Sequence, residues 1–178
     1  MDVSDLNYLL ALGTVAVQLL TVGLLVVFLL RKKVAAFHDI AESVGNVGMW
    51  AAFFVSLIAS GMTLYYESLG FEPCPLCWWQ RIFMYPQVVL FGLMTWKRDF
   101  QVRQLIDYAI VLSGTGGAIA LYHHALQMLP GSGLPCPATG VSCAQRIFFE
   151  FGYVTYPLMA LSVFAFLVVV MLFVRTRR

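Results

Sequence analysis

The sequence predicts an all-α integral membrane protein: a four-helix transmembrane bundle with one extra N-terminal transmembrane helix and a short amphipathic segment. Three observations predict it. Of 178 residues, 61% are hydrophobic and 11% charged, and the mean hydropathy is +0.83, too apolar for an ordinary water-soluble domain. The apolar residues fall into five runs, each long enough to cross a hydrocarbon core of roughly 30 Å. Basic residues gather at alternate ends of those runs. The net charge of +2 is too small to suggest nucleic acid, so the partner these clusters suit is the lipid bilayer.

The first run, Leu6 to Leu30, is free of charge and closes at Arg31-Lys32-Lys33. A cleaved leader is the competing reading, but Asp2 and Asp5 replace the usual positive start, the run is too long, and no small-residue cleavage site precedes Arg31. From Val34 to Asn46, Phe37, Ile40, Ala41 and Val44 recur at helical spacing opposite His38, Asp39, Glu42 and Ser43, which predicts a short amphipathic helix on the membrane surface or a plain linker. The second span is expected from about Val47 to Tyr66, and the third from Cys77 or Trp78 to Trp96, with Pro86 kinking it or freeing a carbonyl. The fourth covers about Leu105 to Leu129 and carries Gly114-Thr115-Gly116-Gly117, small residues that admit a neighbouring helix. A loop from Pro130 to about Glu150 leads to the fifth, roughly Gly152 to Val174. The chain thus divides into an accessory segment, 1–46, and a four-helix core, 47–178.

Charge sets the expected orientation. Arg31, Lys32, Lys33, Lys97, Arg98, Arg103, Arg175, Arg177 and Arg178 fall on one side, and Arg81 and Arg146 on the other. The richer side is cytoplasmic by the positive-inside rule. The C-terminus is then cytoplasmic, the N-terminus outside, and both cysteine-bearing loops outside, where disulfides persist.

Chemistry concentrates at Pro73-Cys74-Pro75-Leu76-Cys77-Trp78-Trp79-Gln80-Arg81. The prolines hold the backbone extended, so a helix starts no earlier than about Leu76 and Cys77 enters its first turn. There the free amides and the dipole favour a thiolate. Arg81 lies one turn further on the same face, a permanent cation at the depth where the membrane begins. A second pair, Cys136 and Cys143, occupies the other outward loop. Four cysteines allow three connectivities; spacing favours the two local ones without deciding. Two pairs on one side of a bundle suit the passing of a disulfide by thiol exchange. Structural staples are the bland alternative, although a C-x-x-C bridge closes too small a loop to constrain the unfolded chain much. A four-thiolate zinc site is another, but Cys136 and Cys143 lack the tight knuckle spacing of such sites.

The Cys74-Pro-Leu-Cys77-Trp-Trp-Gln-Arg81 stretch, followed by the outward loop with Cys136 and Cys143, resembles the DsbB family of disulfide bond formation proteins over about Val47 to Val174. The resemblance implies a protein dithiol:quinone oxidoreductase of the bacterial inner membrane. Such an enzyme reoxidises a DsbA-like extracytoplasmic thiol oxidase and draws on the membrane quinone pool, ubiquinone or menaquinone. It implies that Cys136 is attacked by the reduced partner, that Cys143 then exchanges with Cys74, and that Cys77 is left as a thiolate beside the quinone. By the same resemblance Arg81 holds a quinone carbonyl, and His124 lines the pocket in preference to its neighbour His123, about 100° around the helix.

Trp78 and Trp79 could stack on a ring, but interfacial tryptophan is ordinary in membranes. Arg146 is expected to contact headgroups or the partner, and Glu67, Glu72 and Glu150 to be solvated loop charges. Three features depart from the family pattern: Gln80 stands where a carboxylate is frequent, only six residues separate Cys136 from Cys143, and residues 1–46 have no counterpart. Two other functions compete. A vitamin K epoxide reductase type of protein places its loop cysteines before the C-x-x-C helix, the reverse of the order here. A disulfide-stapled membrane scaffold would have no chemistry at all.

Overall fold

Helix α1, Val3–Leu30, follows from an uninterrupted apolar run with Asp5 in its first turn, where a negative charge complements the helix dipole. Its 28 residues extend about 42 Å. It stops in a turn at Arg31-Lys32-Lys33, where the Lys33 and Val34 amides both reach the Leu30 carbonyl. The computed structural model of the protein describes residues 3–97, 103–129, 135 and 141–176.

Helix α2, Ala35–Ser68, corrects one expectation. The amphipathic segment is no separate surface helix; it continues without a break into the second span. No proline interrupts it, and Gly48 is held in the helix by packing, since a Cβ there would meet Val170 Cγ1 at 2.8 Å. The amphipathic pattern itself persists, with His38, Asp39, Glu42 and Ser43 exposed and Phe37, Ala41 and Val44 half-buried; Ile40, however, is exposed. The helix ends where Leu69 returns its amide to Tyr65 and Tyr66, and Gly70 takes a left-handed φ of 89°.

Helix α3, Pro75–Lys97, begins one residue before the Leu76 limit and ahead of the expected Cys77 or Trp78, with Pro75 at the first helical position, where its missing N–H is no loss. It runs through Pro86. Beside that proline, Gln87 donates to the Phe83 carbonyl at 2.8 Å and accepts from the Ser113 hydroxyl at 2.8 Å, a buried polar clasp to the next helix. Helix α4, Arg103–Met128, carries Gly116, whose missing side chain leaves the space filled by the Phe164 ring of α5. Close approach of these two helices is what the small-residue run predicted.

Between α4 and α5 lies a two-stranded antiparallel hairpin that an all-α expectation missed, β1 Phe149–Glu150 and β2 Val154–Thr155. Its turn uses positive φ at Phe151 and Gly152. Helix α5, Tyr156–Thr176, therefore starts after the hairpin, not at Gly152.

Helices α2, α3, α4 and α5 pack in a ring, each on the next and α5 back on α2, while α1 lies outside on α5 with a lighter contact to α2. Met49, Ala52, Phe91, Phe164 and Leu167 fill the centre. The chain is a nearly all-helical, multi-pass membrane protein. Helices α1, α2, α4 and α5 contain stretches long and apolar enough to cross a bilayer. Their outer faces carry bare hydrophobic side chains such as Leu19 and Val111, as lipid contact requires.

Candidate redox site

The site is assembled where α3 starts. Cys74 precedes the helix: its carbonyl accepts the Trp78 amide at 3.1 Å and its sulfur the Cys77 amide at 3.4 Å. The Cys74 thiol donates in turn to the Cys77 sulfur at 3.1 Å. That hydrogen bond, reinforced by burial, pushes the Cys74 thiol up to about 12, against the opposing pull of His123. Cys74 is thus the protonated member of the pair, and the geometry leaves negative charge to the Cys77 sulfur. Cys143 is brought to the same place, buried in a small cluster with Cys74 and Leu126 against which Cys77 packs. Cys136 lies outside the described residues.

Arg81, only 8% exposed, is held by α2. It donates to the Thr63 carbonyl at 3.1 Å, pairs with Glu67, and lies 5.2 Å from the Trp78 ring centroid. Glu67 is therefore no solvated loop charge: it sits in the last turn of α2 and balances a cation that would otherwise be buried unpaired. Trp78 and Trp79 are about half exposed and face outward.

Of the two adjacent histidines, it is His123 that faces the cysteines. Its Nε2 lies 3.7 Å from the Cys74 sulfur and 3.0 Å from the Cys143 carbonyl, and its Nδ1 lies 3.0 Å from the Gln80 amide nitrogen. With Gln80 donating to Nδ1, the ring proton sits on Nε2, shared between the Cys143 carbonyl and the Cys74 sulfur. His124, expected to line the pocket, instead meets the Thr155 hydroxyl at 2.8 Å through its Nδ1. The rotation of one residue around α4 separates the two surroundings. Gln80 is thus the neutral donor that fixes the His123 tautomer.

Gln127, one turn beyond His123, donates to the carbonyls of Cys143 at 3.4 Å and Gln145 at 3.1 Å. Its buried Oε1 has no partner among the described residues. Arg146 contacts the protein itself: it donates from Nε to the Gln127 main-chain carbonyl at 2.7 Å and lies over Phe149. The second loop is thereby tied to the end of α4.

These groups open onto a cavity of about 370 Å³ that also reaches α1, α2 and α5. Cys77, Gln80, Arg81, His123 and Gln127 border it, and most of the remaining wall is apolar. Such a space suits a ligand with a polar head and a hydrocarbon body. The sulfurs of Cys74 and Cys77 and a ring nitrogen of His123 lie within 4.8 Å of one another and could also hold a thiophilic metal ion, but only while both cysteines are reduced.

Comparison with known proteins narrows the chemistry. The family model described as "Disulfide bond formation protein DsbB" matches residues 46–174. The chain belongs to the DsbB family. It is 35% identical over 127 residues to Disulfide bond formation protein C of Bacillus subtilis, covering 70% of this chain and 90% of that protein. It is 39% identical over 114 residues to a Probable disulfide formation protein C 1 of Bacillus cereus, covering 63% and 78%. A Probable disulfide formation protein of Metapseudomonas resinovorans is 39% identical over 127 residues, covering 70% and 85%. No solved structure matches the chain. As a DsbB-family protein the chain is an oxidoreductase of disulfide bond formation. The matched region begins within α2 and leaves α1 outside.

Proposed function

We propose that this protein is a membrane thiol:quinone oxidoreductase that reoxidises a DsbA-like extracytoplasmic dithiol oxidase and passes the electrons to ubiquinone or menaquinone. One observation carries the reading: the Cys77 sulfur, the Arg81 cation and the His123 ring border a single cavity that is otherwise mostly apolar. Quinone, when bound there, supplies a two-electron, two-proton acceptor soluble in lipid. The fit is chemical as well as spatial, because the Arg81 guanidinium on the cavity wall offers donors to a carbonyl.

The protein's part begins with a disulfide between Cys136 and Cys143. The partner's two thiols reduce it, leaving the partner oxidised and two thiols on this chain. Those thiols reduce the Cys74–Cys77 disulfide in turn. The Cys74–Cys77 dithiol then closes again to a disulfide, releasing two electrons and two protons. Cys74 keeps its proton and stabilises charge on Cys77 by hydrogen bonding. Arg81 favours that charge, and any charge developing on a bound carbonyl, in a poorly solvated site. His123, with a proton on Nε2 beside Cys74, is placed to donate to that sulfur and steady its charge as the thiol gives up its proton. In this reading His123 takes the role first expected of His124.

Helices α2 to α5 form the core that spans the bacterial inner membrane, and α1 is accessory; the division expected between 46 and 47 falls inside α2. α3 is the third of five spans although Gln80, Arg81 and Gln87 lower its hydropathy. The distribution of basic residues supports an outside N-terminus, a cytoplasmic C-terminus and cysteine loops facing the periplasm. Replacing Cys77 by Ser tests the reading. Quinone reduction by a reduced thioredoxin-fold partner is expected to cease, and unchanged turnover would return the chain to the scaffold class.

A further inference from the structure

The helix outside the family match is part of the cavity wall. Leu9, Leu10, Gly13, Thr14 and Val17, one face of α1, border the same space as Arg81 and Cys77. This face is held there by specific contacts. Near the start of α1, Asn7 accepts a hydrogen bond from Tyr66, a residue of α2 that also borders the cavity. Ala11 is fully buried against Phe148 and Val154 of the hairpin segment. Gln18 donates to Ser162 of α5 at 3.0 Å and accepts from Tyr153 at 3.1 Å. Asn7, Ala11 and Gln18 follow the spacing of a helix-packing seam, so α1 is docked through one stripe and presents the adjoining stripe to the cavity. Thr14 satisfies its hydroxyl on the Leu10 carbonyl at 2.8 Å, which leaves that stripe without hydrogen-bond demand.

Resting on the thiol:quinone reading above, we propose that α1 forms the apolar wall of the quinone site, against which the isoprenoid tail lies while the ring meets Arg81 and Cys77. The accessory helix is thereby a binding element for a long-tailed quinone. One feature beyond apolarity supports an occupant of this kind. At Gly13 an added Cβ meets no atom within 4 Å, so the α1 side retains room beside the helix.

Gly13 and Gly23 give a matched pair for the test. Both have open space around an added Cβ, both lie in α1, and only Gly13 borders the cavity. In the full-length protein in lipid nanodiscs, Gly13→Trp should raise KM for decylubiquinone and menaquinone-4 about tenfold or more while thiol exchange with the reduced partner stays at the wild-type rate. Gly23→Trp should leave both unchanged. A photoreactive azidoquinone with a prenyl tail should label wild-type peptides containing Leu9–Val17, and excess menaquinone-4 should suppress the labelling. Gly13→Trp kinetics identical to wild type, or labelling confined to α2–α5, would overturn the assignment of α1. If Gly13→Trp loses thiol exchange as well, labelling of the wild type decides. Absence of quinone reduction by the wild type itself would instead sink the oxidoreductase reading on which the proposal rests.

Discussion

Replacing Arg81 by Met removes the cation while keeping most of the side chain's length. The guanidinium engages Glu67 and the Thr63 carbonyl, and its remaining N–H groups are left for a ligand in the cavity. A donor aimed at developing charge in a dry site is worth about 3 kcal/mol, which converts to roughly a hundredfold in kcat/KM for quinone. The structural cost is separable. Thr63 loses a partner for its carbonyl, worth about 1–3 kcal/mol of stability if it stays dry. Glu67, with 41% of its side chain exposed, can turn to water and costs little. Quinone reduction driven by a reduced partner should therefore fall about a hundredfold, while the folded variant still exchanges disulfides with that partner at the wild-type rate. Glu67→Gln, which keeps the cation and a hydrogen-bonding neighbour, should lose far less. Equal losses in thiol exchange and quinone reduction, or no loss in either, would refute the role given to Arg81.

Two further outcomes are expected. His123→Ala should slow the quinone step about a hundredfold as a donor to the Cys74 sulfur is lost, whereas His124→Ala should cost about 1 kcal/mol of stability through its bond to Thr155 and leave the quinone KM unchanged; the opposite ranking would restore His124 to the site. In the reduced protein, the Cys74 thiol pushed up to about 12 stays protonated at neutral pH. Because the folded state holds this proton more tightly than the unfolded one, with its ordinary value of 9.0, the contribution to stability is full below that value and is lost as pH rises toward 12. Alkylation of Cys74 by iodoacetamide, followed by mass spectrometry, should keep rising with pH above 9.0; a plateau reached near neutral pH would contradict the hydrogen-bond arrangement.

What was legible in the sequence was what local chemistry fixes. Cys74, Cys77 and Arg81 were readable because prolines set the helix start and a spacing of four returns to the same face. The choice between His123 and His124 was not, because it depends on the rotation of α4 about its axis, set by Gly116 against Phe164 and not by the histidines. The ion pair of Glu67 leaves no mark in the sequence because its partner lies 14 residues ahead, across a turn whose geometry no periodicity reveals. Polarity alone suggests a break between the amphipathic segment and the second span, but no helix-breaking proline divides them. Strands of two residues, such as Val154–Thr155, are too short to leave a pattern. A usable signal for α1 was present: Asn7 and Gln18 stand about three turns apart on one face of a charge-free run, the mark of a helix docked on a neighbour.

The most direct measurement of the central claim is a single-turnover reaction of the purified protein in nanodiscs, supplied with a reduced thioredoxin-fold partner and one defined quinone. The account predicts one quinol for each partner disulfide formed, with both products absent in Cys77→Ser. Partner oxidation without quinol, or quinol formation that survives loss of Cys77, would contradict it.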